Sequence, residues 1–546
     1  MHKLSYFIPL AALLIASCHS GEKSGTIADT VAMNAITEQG FVEAVKTLSS
    51  DAFEGRLPFT AGEEKTVNYI ADAFKKLGLT PGNGQSYFQD VPIVEVTSTP
   101  ATAMTFSGTK GSVGLQYLND YVLGSYHQQP QIKVDNSDLV FAGFGIVAPE
   151  YHWNDYDGLD VKGKTVVVLV NDPGHYDKSL FKGDTMTYYG RWTYKFEEAA
   201  RQGATGILIV HETGAASYGW NVVRTGWVGP QMTLQDKEKG MGRCSFEGWL
   251  TGESASKLFK LAGLSDTALL SAATKPGFKA VDLQLKTSVS IKNTYKESLS
   301  KNVLAKLPGA KRPEETIIYT AHWDHLGIGE PLNGDSIYNG ALDNATGVAG
   351  LLEIAKAFKA SPIPPDRSIV FLMVTGEEQG LLGSRWYAEH PVYPLKKTVA
   401  DINIDMLSPL GKTSNVSVEG LGQSDMDDYI ASAAKRQGRT INAPSNPSSG
   451  GFYRSDHFNF AKVGVPALYA GSGNQLVEKD STKIKSLKKQ LEGIYHTQKD
   501  EFNDHWQLDG MIGDLRMFYD VGYRLSMEKT FPKWKTGSEF KAIREK

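Results

Sequence analysis

The sequence predicts an α/β protein: a mostly parallel central sheet flanked by helices, preceded by a β-rich segment. From about Lys301 onward, the strand-length apolar runs TIIYTAHWD, SIVFLMVTG, TVADINIDML and VPALYA alternate with helical stretches such as GVAGLLEIAKAF. That alternation is the pattern of a parallel sheet with crossover helices. Earlier, KTVVVLV from Lys164 and GILIV from Gly206 read as buried strands, and TYKFEEAARQGA between them reads as a helix, giving one more β-α-β unit. The 546 residues are 41% hydrophobic and 22% charged, an ordinary globular composition at a length suited to about three domains.

In chain order, residues 1–17 carry Lys3, an apolar run from Leu4 to Ala16 and then small residues, the layout of a secretory signal peptide. Ile15-Ala16-Ser17-Cys18 resembles the bacterial lipobox. That resemblance implies an exported lipoprotein acylated on Cys18, touching the membrane only through its lipid. Polar residues 18–30 then form a tether. His19 takes the place of the aspartate linked to inner-membrane retention, which favours the outer membrane, facing the periplasm or the surface. No other segment reaches the apolar length needed to span a bilayer.

Residues 31–135 form the first part of the main domain, 136–290 a β-rich middle segment, and 291–546 the part that carries the chemistry. Near the start, EEKTVNYIADAFKKLGL places Val67, Ile70, Ala71, Phe74 and Leu77 on one helical face and stops at Gly78. With 57 Lys+Arg against 61 Asp+Glu and no basic run interleaved with aromatics, the chain has no electrostatic footprint for nucleic acid.

The reactive side chains fall at predicted strand ends, where α/β folds build their sites. His322 and Asp324 stand two apart at the end of one strand, spaced to face the same side. Asp343 precedes the helical stripe Val348, Leu351, Leu352, Ala355 and Phe358, where an acid also serves as an N-terminal cap. Glu377 and Glu378 sit together after SIVFLMVTG and repel each other unless cations or protons intervene. Alternation puts Asp401, Asn403 and Asp405 on one face of a buried strand, a costly arrangement without partners. His457 follows Ser455-Asp456 before the strand VPALYA. Each of these has a plain structural explanation when taken singly. Together, histidines and carboxylates at the ends of one sheet match a ligand set for two divalent ions bridged by a carboxylate.

This constellation resembles the co-catalytic zinc metallopeptidases of the bacterial leucyl aminopeptidase and aminopeptidase Y type, relatives of glutamate carboxypeptidase II. The resemblance implies the zinc exopeptidase fold, with residues 136–290 as a protease-associated domain, and two zinc ions per chain. His322 and Asp405 would bind one ion, Glu378 and His457 the other, and Asp343 both. Asp324 would orient His322, and Glu377 would be the general base. Tyr453, His496 and Asp500, the last two in a His-Thr-x-x-Asp stretch, would contact the peptide substrate. Three carboxylate ligands against two dications leave about one positive charge, which stabilises hydroxide. Three alternatives stay open on the same fold: a glutaminyl cyclase-like transferase, a carboxypeptidase, and a receptor-like module without catalysis. Polarity also stays open, because neither a group for an α-ammonium nor one for a terminal carboxylate can be placed from sequence.

Of the two cysteines, Cys18 and Cys244, lipidation of the first would leave the second without a disulfide partner.

Overall fold

The computed structural model describes residues 30–545, so the signal peptide, Cys18 and most of the tether lie outside the described residues. Helix α1 (Glu38–Leu48) buries Phe41, Ala44, Val45 and Leu48. Helix α2 (Ala61–Lys76) buries Val67, Ile70, Ala71 and Phe74, the stripe expected from the sequence. It ends because Gly78 adopts φ +71°, which lets the Leu79 N–H donate to the Phe74 carbonyl at 3.1 Å.

Strand β1 (Phe88–Pro100) leads into a second group of strands. There β2 (Gln131–Phe141), β3 (Thr165–Leu169), β4 (Gly206–His211) and β5 (Phe246–Thr251) pair in parallel, each with the next. Helix α3 (Trp192–Arg201) joins β3 to β4, as expected. This segment has its own apolar cores, one including Phe106, Phe141, Leu208 and Phe246, the other Val168, Ile209 and Trp249. Cys244 is buried and free in the second.

The expected boundaries at 136 and 290 both fall inside strands. Residue 136 lies within β2, and the first of these cores already takes in Met104 and Leu115. Residue 290 lies within β6 (Val281–Leu307), a single strand of 27 residues whose alternate side chains are buried from Leu283 to Asn293. It pairs antiparallel with β2, then with β1, and finally with the main sheet.

The main sheet contains β7 (Arg312–His322), β8 (Arg367–Val374), β9 (Thr398–Asn403), β10 (Asn415–Glu419) and β11 (Ala467–Ser472). Its centre runs β8-β7-β9-β11, all parallel, with β6 antiparallel beside β8 and β10 antiparallel beside β11. Every residue of β8 is buried, as in a sheet covered on both faces. Helix α4 (Thr346–Ala360) buries Val348, Leu351, Leu352, Ala355 and Phe358. It packs closely on α5 (Leu508–Met527), since a Cβ on Gly350 would meet Leu515 at 2.6 Å. Each fully buried Leu, Ile or Phe contributes about 1.5–3 kcal/mol relative to exposure. No described helix is long and apolar enough to cross a membrane.

Candidate metal centre

The parallel strands β7, β8 and β9 end on one edge of the sheet, and the reactive side chains follow those ends. His322 is the last residue of β7. Glu377 and Glu378 follow β8 through Gly376, whose φ of +64° makes the turn. Asp405 lies just beyond β9, and Asp343 lies in the turn before α4.

Two groups of ligand atoms meet at Asp343. His322 Nε2 is 3.2 Å from Asp343 Oδ1 and 3.3 Å from Asp405 Oδ1. His496 Nε2 is 3.2 Å from Asp343 Oδ2 and 2.9 Å from Glu378 Oε2. Asp343 therefore offers one oxygen to each half. The Glu377 carboxylate joins the first group, with ligand atoms of His322, Glu377 and Asp405 all within 4.8 Å of one another. A third histidine, His325, is fully buried and holds the remaining oxygen of Glu378 at 2.7 Å.

The electrostatics call for positive charge. Burial opposes charging His322, yet Glu377, Asp405 and Asp343 outweigh it and hold the ring well above the usual histidine range. Burial likewise opposes charge on His496, but Asp343 and Glu378 push it up to about 10. Asp343 is held below the carboxylate range because the nearby histidines overcome its burial. Glu377 goes the other way: burial, reinforced by Asp405 and Glu378, raises it well above that range despite the pull of His322.

Several expected residues take other places. His457 is not brought to the cluster: it is fully buried, its ring 4.7 Å from that of Phe452 and 4.9 Å from that of Tyr469, and neither ring nitrogen makes a hydrogen bond of normal geometry. It opens a short helix, His457–Lys462, which turns it into the packing. His496, expected to touch substrate, occupies the position expected for His457. Asp500 is buried too, and its carboxylate accepts the Leu342 and Asp343 N–H groups at 2.8 and 3.0 Å, fixing the turn that carries Asp343. Tyr453 donates its hydroxyl to Glu539 at 2.9 Å, away from any reacting group.

Asp324 does more than expected. Its carboxylate accepts the N–H groups of Glu377 and Glu378 at 3.1 and 3.4 Å, while its main-chain carbonyl meets His322 Nδ1 at 3.1 Å. Burial pushes Asp324 up to about 6, against the pull of His322. Sequence reasoning missed two residues. His325 carried a signal, as the second histidine of His322-Trp-Asp-His325. Arg56 carried none: it is a buried guanidinium that donates to the carbonyls of Trp323, Leu48, Asn339 and Gly340 at 2.6–2.9 Å and so braces both ligand loops.

A cavity of about 180 Å³ opens on this cluster, lined among others by Asp343, Glu377, Asp405, Glu419, Arg454 and Tyr495. The donor set fits divalent cations. Three carboxylates and two histidines converge, and no lysine or arginine forms an ion pair with any of these acids among the described residues. His496 Nε2 lies within 3.2 Å of two carboxylate oxygens yet makes no hydrogen bond of normal geometry.

Residues 302–517 match the family model described as Peptidase family M28. That match takes in well under half of the chain and makes the segment similar to this family. Similar curated proteins include aminopeptidase NAALADL1 of Mus musculus, 33% identical over 29% of this chain and 19% of that protein. Carboxypeptidase Q of Xenopus laevis is 26% identical over 49% of this chain and 46% of that protein. Aminopeptidase YwaD of Bacillus subtilis (strain 168) is 28% identical over 41% of this chain and 44% of that protein. The chain thus spans less than half the length of these relatives. An aminopeptidase from Aneurinibacillus sp. strain AM-1 has a similar fold, with a TM-score of 0.52 at 20% identity, covering 92% of this chain and 97% of that one. The matched segment holds every residue of the cluster described above.

Proposed function

We propose that the chain is a zinc-dependent exopeptidase that hydrolyses N-terminal residues from peptides. The observation that carries this reading is Asp343, shared between two histidine–carboxylate groups, with Glu377 beside them and a cavity above. The aminopeptidase names borne by two of the relatives support the same choice over a cyclase or a receptor.

His322 and Asp405 would hold one ion, His496 and Glu378 the other, and Asp343 both. When bound, a zinc pair supplies an acidified water and polarises the scissile carbonyl. Glu377 takes a proton from the attacking water as the C–O bond forms, keeps it, and delivers it to the departing amine nitrogen as the C–N bond breaks. Its burial among acids raises its proton affinity, which suits a group that must hold a proton between two transfers. Asp324 fixes Glu377 and Glu378 through their backbone N–H groups, and His325 holds the far oxygen of Glu378.

Exhaustive chelation is expected to abolish hydrolysis of an unblocked aminoacyl anilide, with zinc or cobalt restoring it. A peptide-library digest with N-terminally blocked controls should then show cleavage only at free N-termini. Activity that survives chelation, or equal cleavage of blocked peptides, would overturn the proposal.

A further inference from the structure

A strongly positive stretch leads directly into the metal centre. Lys479, Lys483, Lys485, Lys488 and Lys489 stand close together in a chain whose formal charge is -4 overall. The last four lie on the helix Ser481–Leu491, and all five are exposed. The helix starts at Asp480, whose carboxylate accepts the N–H groups of Thr482 and Lys483 at 2.8 and 3.2 Å. At about 100° per residue, Ile484 and Leu491 share one side of it, and Leu491 packs with Ile494 against the main core. Lys485, Lys488 and Lys489 fall together on an exposed flank.

The acids at the head of the helix are already engaged. Asp480 is the cap, and Glu478 accepts the N–H groups of Lys479 and Asp480 at 2.8 and 2.9 Å and pairs with Lys483 at 3.0 Å. Glu492, past the last turn, offsets one lysine at most. Lys479, Lys485, Lys488 and Lys489 have no ion-pair partner among the described residues. Apolar side chains flank them, since Val477 is 51% exposed and Tyr495 60%. Tyr495 also lines the cavity and stacks on the ligand His496, their ring centres 3.9 Å apart.

Ammonium groups crowded on one convex face repel each other and suit a partner whose negative charge is spread over an area. Four or more lysines on an amphipathic helix attract anionic headgroups, each strengthening binding by about fivefold. Valine and tyrosine beside them match the headgroup boundary, where a tyrosine ring is covered and its hydroxyl stays wet. A bilayer supplies the phosphates and the apolar layer in one surface, whereas an acidic tail supplies the charge alone.

We propose that the helix Ser481–Leu491 docks on an anionic lipid bilayer, with Lys479, Lys485, Lys488 and Lys489 on the headgroup phosphates and the cavity mouth beside the contact. This contact is made by the folded chain itself, in addition to the lipid expected on Cys18. It needs no turnover and so stands apart from the exopeptidase reading.

The test measures partition of the full chain onto vesicles of phosphatidylcholine alone and of phosphatidylcholine mixed with phosphatidylglycerol. The ratio of the two constants cancels whatever the N-terminal residues add to both. The parent chain should favour the anionic vesicles by about a hundredfold or more at low salt, and high salt should collapse that preference. Lys485→Gln, Lys488→Gln and Lys489→Gln together should remove about a hundredfold of it, while Lys485→Arg, Lys488→Arg and Lys489→Arg together should keep it. Lys75→Gln, Lys76→Gln and Lys275→Gln make the same change in net charge at other exposed sites and should leave the ratio as it was. Equal partition onto both vesicles, or an equal loss in the two glutamine triples, overturns the docking. So does capture of polyglutamate by these lysines without any preference between the vesicles, which would assign the face to an acidic polypeptide.

Discussion

Acid should weaken the fold through His457 by an amount the structure sets. Burial drives this ring's pKa down from 6.5 to about 3, with only slight opposition from the Phe452 backbone. The folded chain therefore keeps the ring neutral, while the unfolded chain protonates it near pH 6.5. The unfolded state binds the extra proton, so this contribution to stability is intact above pH 6.5 and falls as pH drops from there towards 3. Each pH unit in that window removes about 1.4 kcal/mol, or about 2 kcal/mol at pH 5. The assay is urea unfolding followed by tryptophan fluorescence at pH 7.5 and 5.0, in chelator throughout so that metal loss does not enter. His457→Gln cannot titrate, and between these two conditions it should lose about 2 kcal/mol less than the parent chain. Equal losses in both chains would refute the assignment of His457 as a buried neutral side chain.

Two further substitutions test the site. Glu377→Gln should keep its zinc and fold while kcat falls by about 10²–10⁴, the usual worth of a general base; near-normal turnover would remove Glu377 from that role. Elemental analysis should find about one zinc fewer per chain in His496→Ala than in the parent, with the full complement in His457→Gln. The reverse pattern would return His457 to the ligand set.

Most of the site was legible because burying acids at strand ends is costly, and the sequence places His322, Asp343, Glu377, Glu378 and Asp405 where the parallel strands stop. The last histidine was not. Both His457 and His496 sit in short polar motifs, and local pattern does not reveal which one reaches the cluster. That depends on tertiary bonds, in which the Ala341 N–H donates to the Asp500 carbonyl at 2.9 Å and the Asp500 carboxylate caps the next two N–H groups. Arg56 escaped notice for the same reason, since its partners lie up to 287 positions away. In the fold, the β-α-β unit and the stripes of α2 and α4 follow from periodicity. The boundaries at 136 and 290 do not, because strand alternation runs straight through both.

The uninterrupted course of β6 has a mechanical consequence. Its thirteen-residue ladder with β1, from Val303 paired with Phe88 to Ile291 paired with Pro100, joins the two cores by a stiff hydrogen-bonded ribbon in place of a pliant linker. Swinging the β2–β5 strands as a rigid flap would shear that ladder. On the exopeptidase reading, a peptide would therefore reach the cavity through rearrangement of side chains and loops along the seam between the two cores, with the ribbon itself left in place.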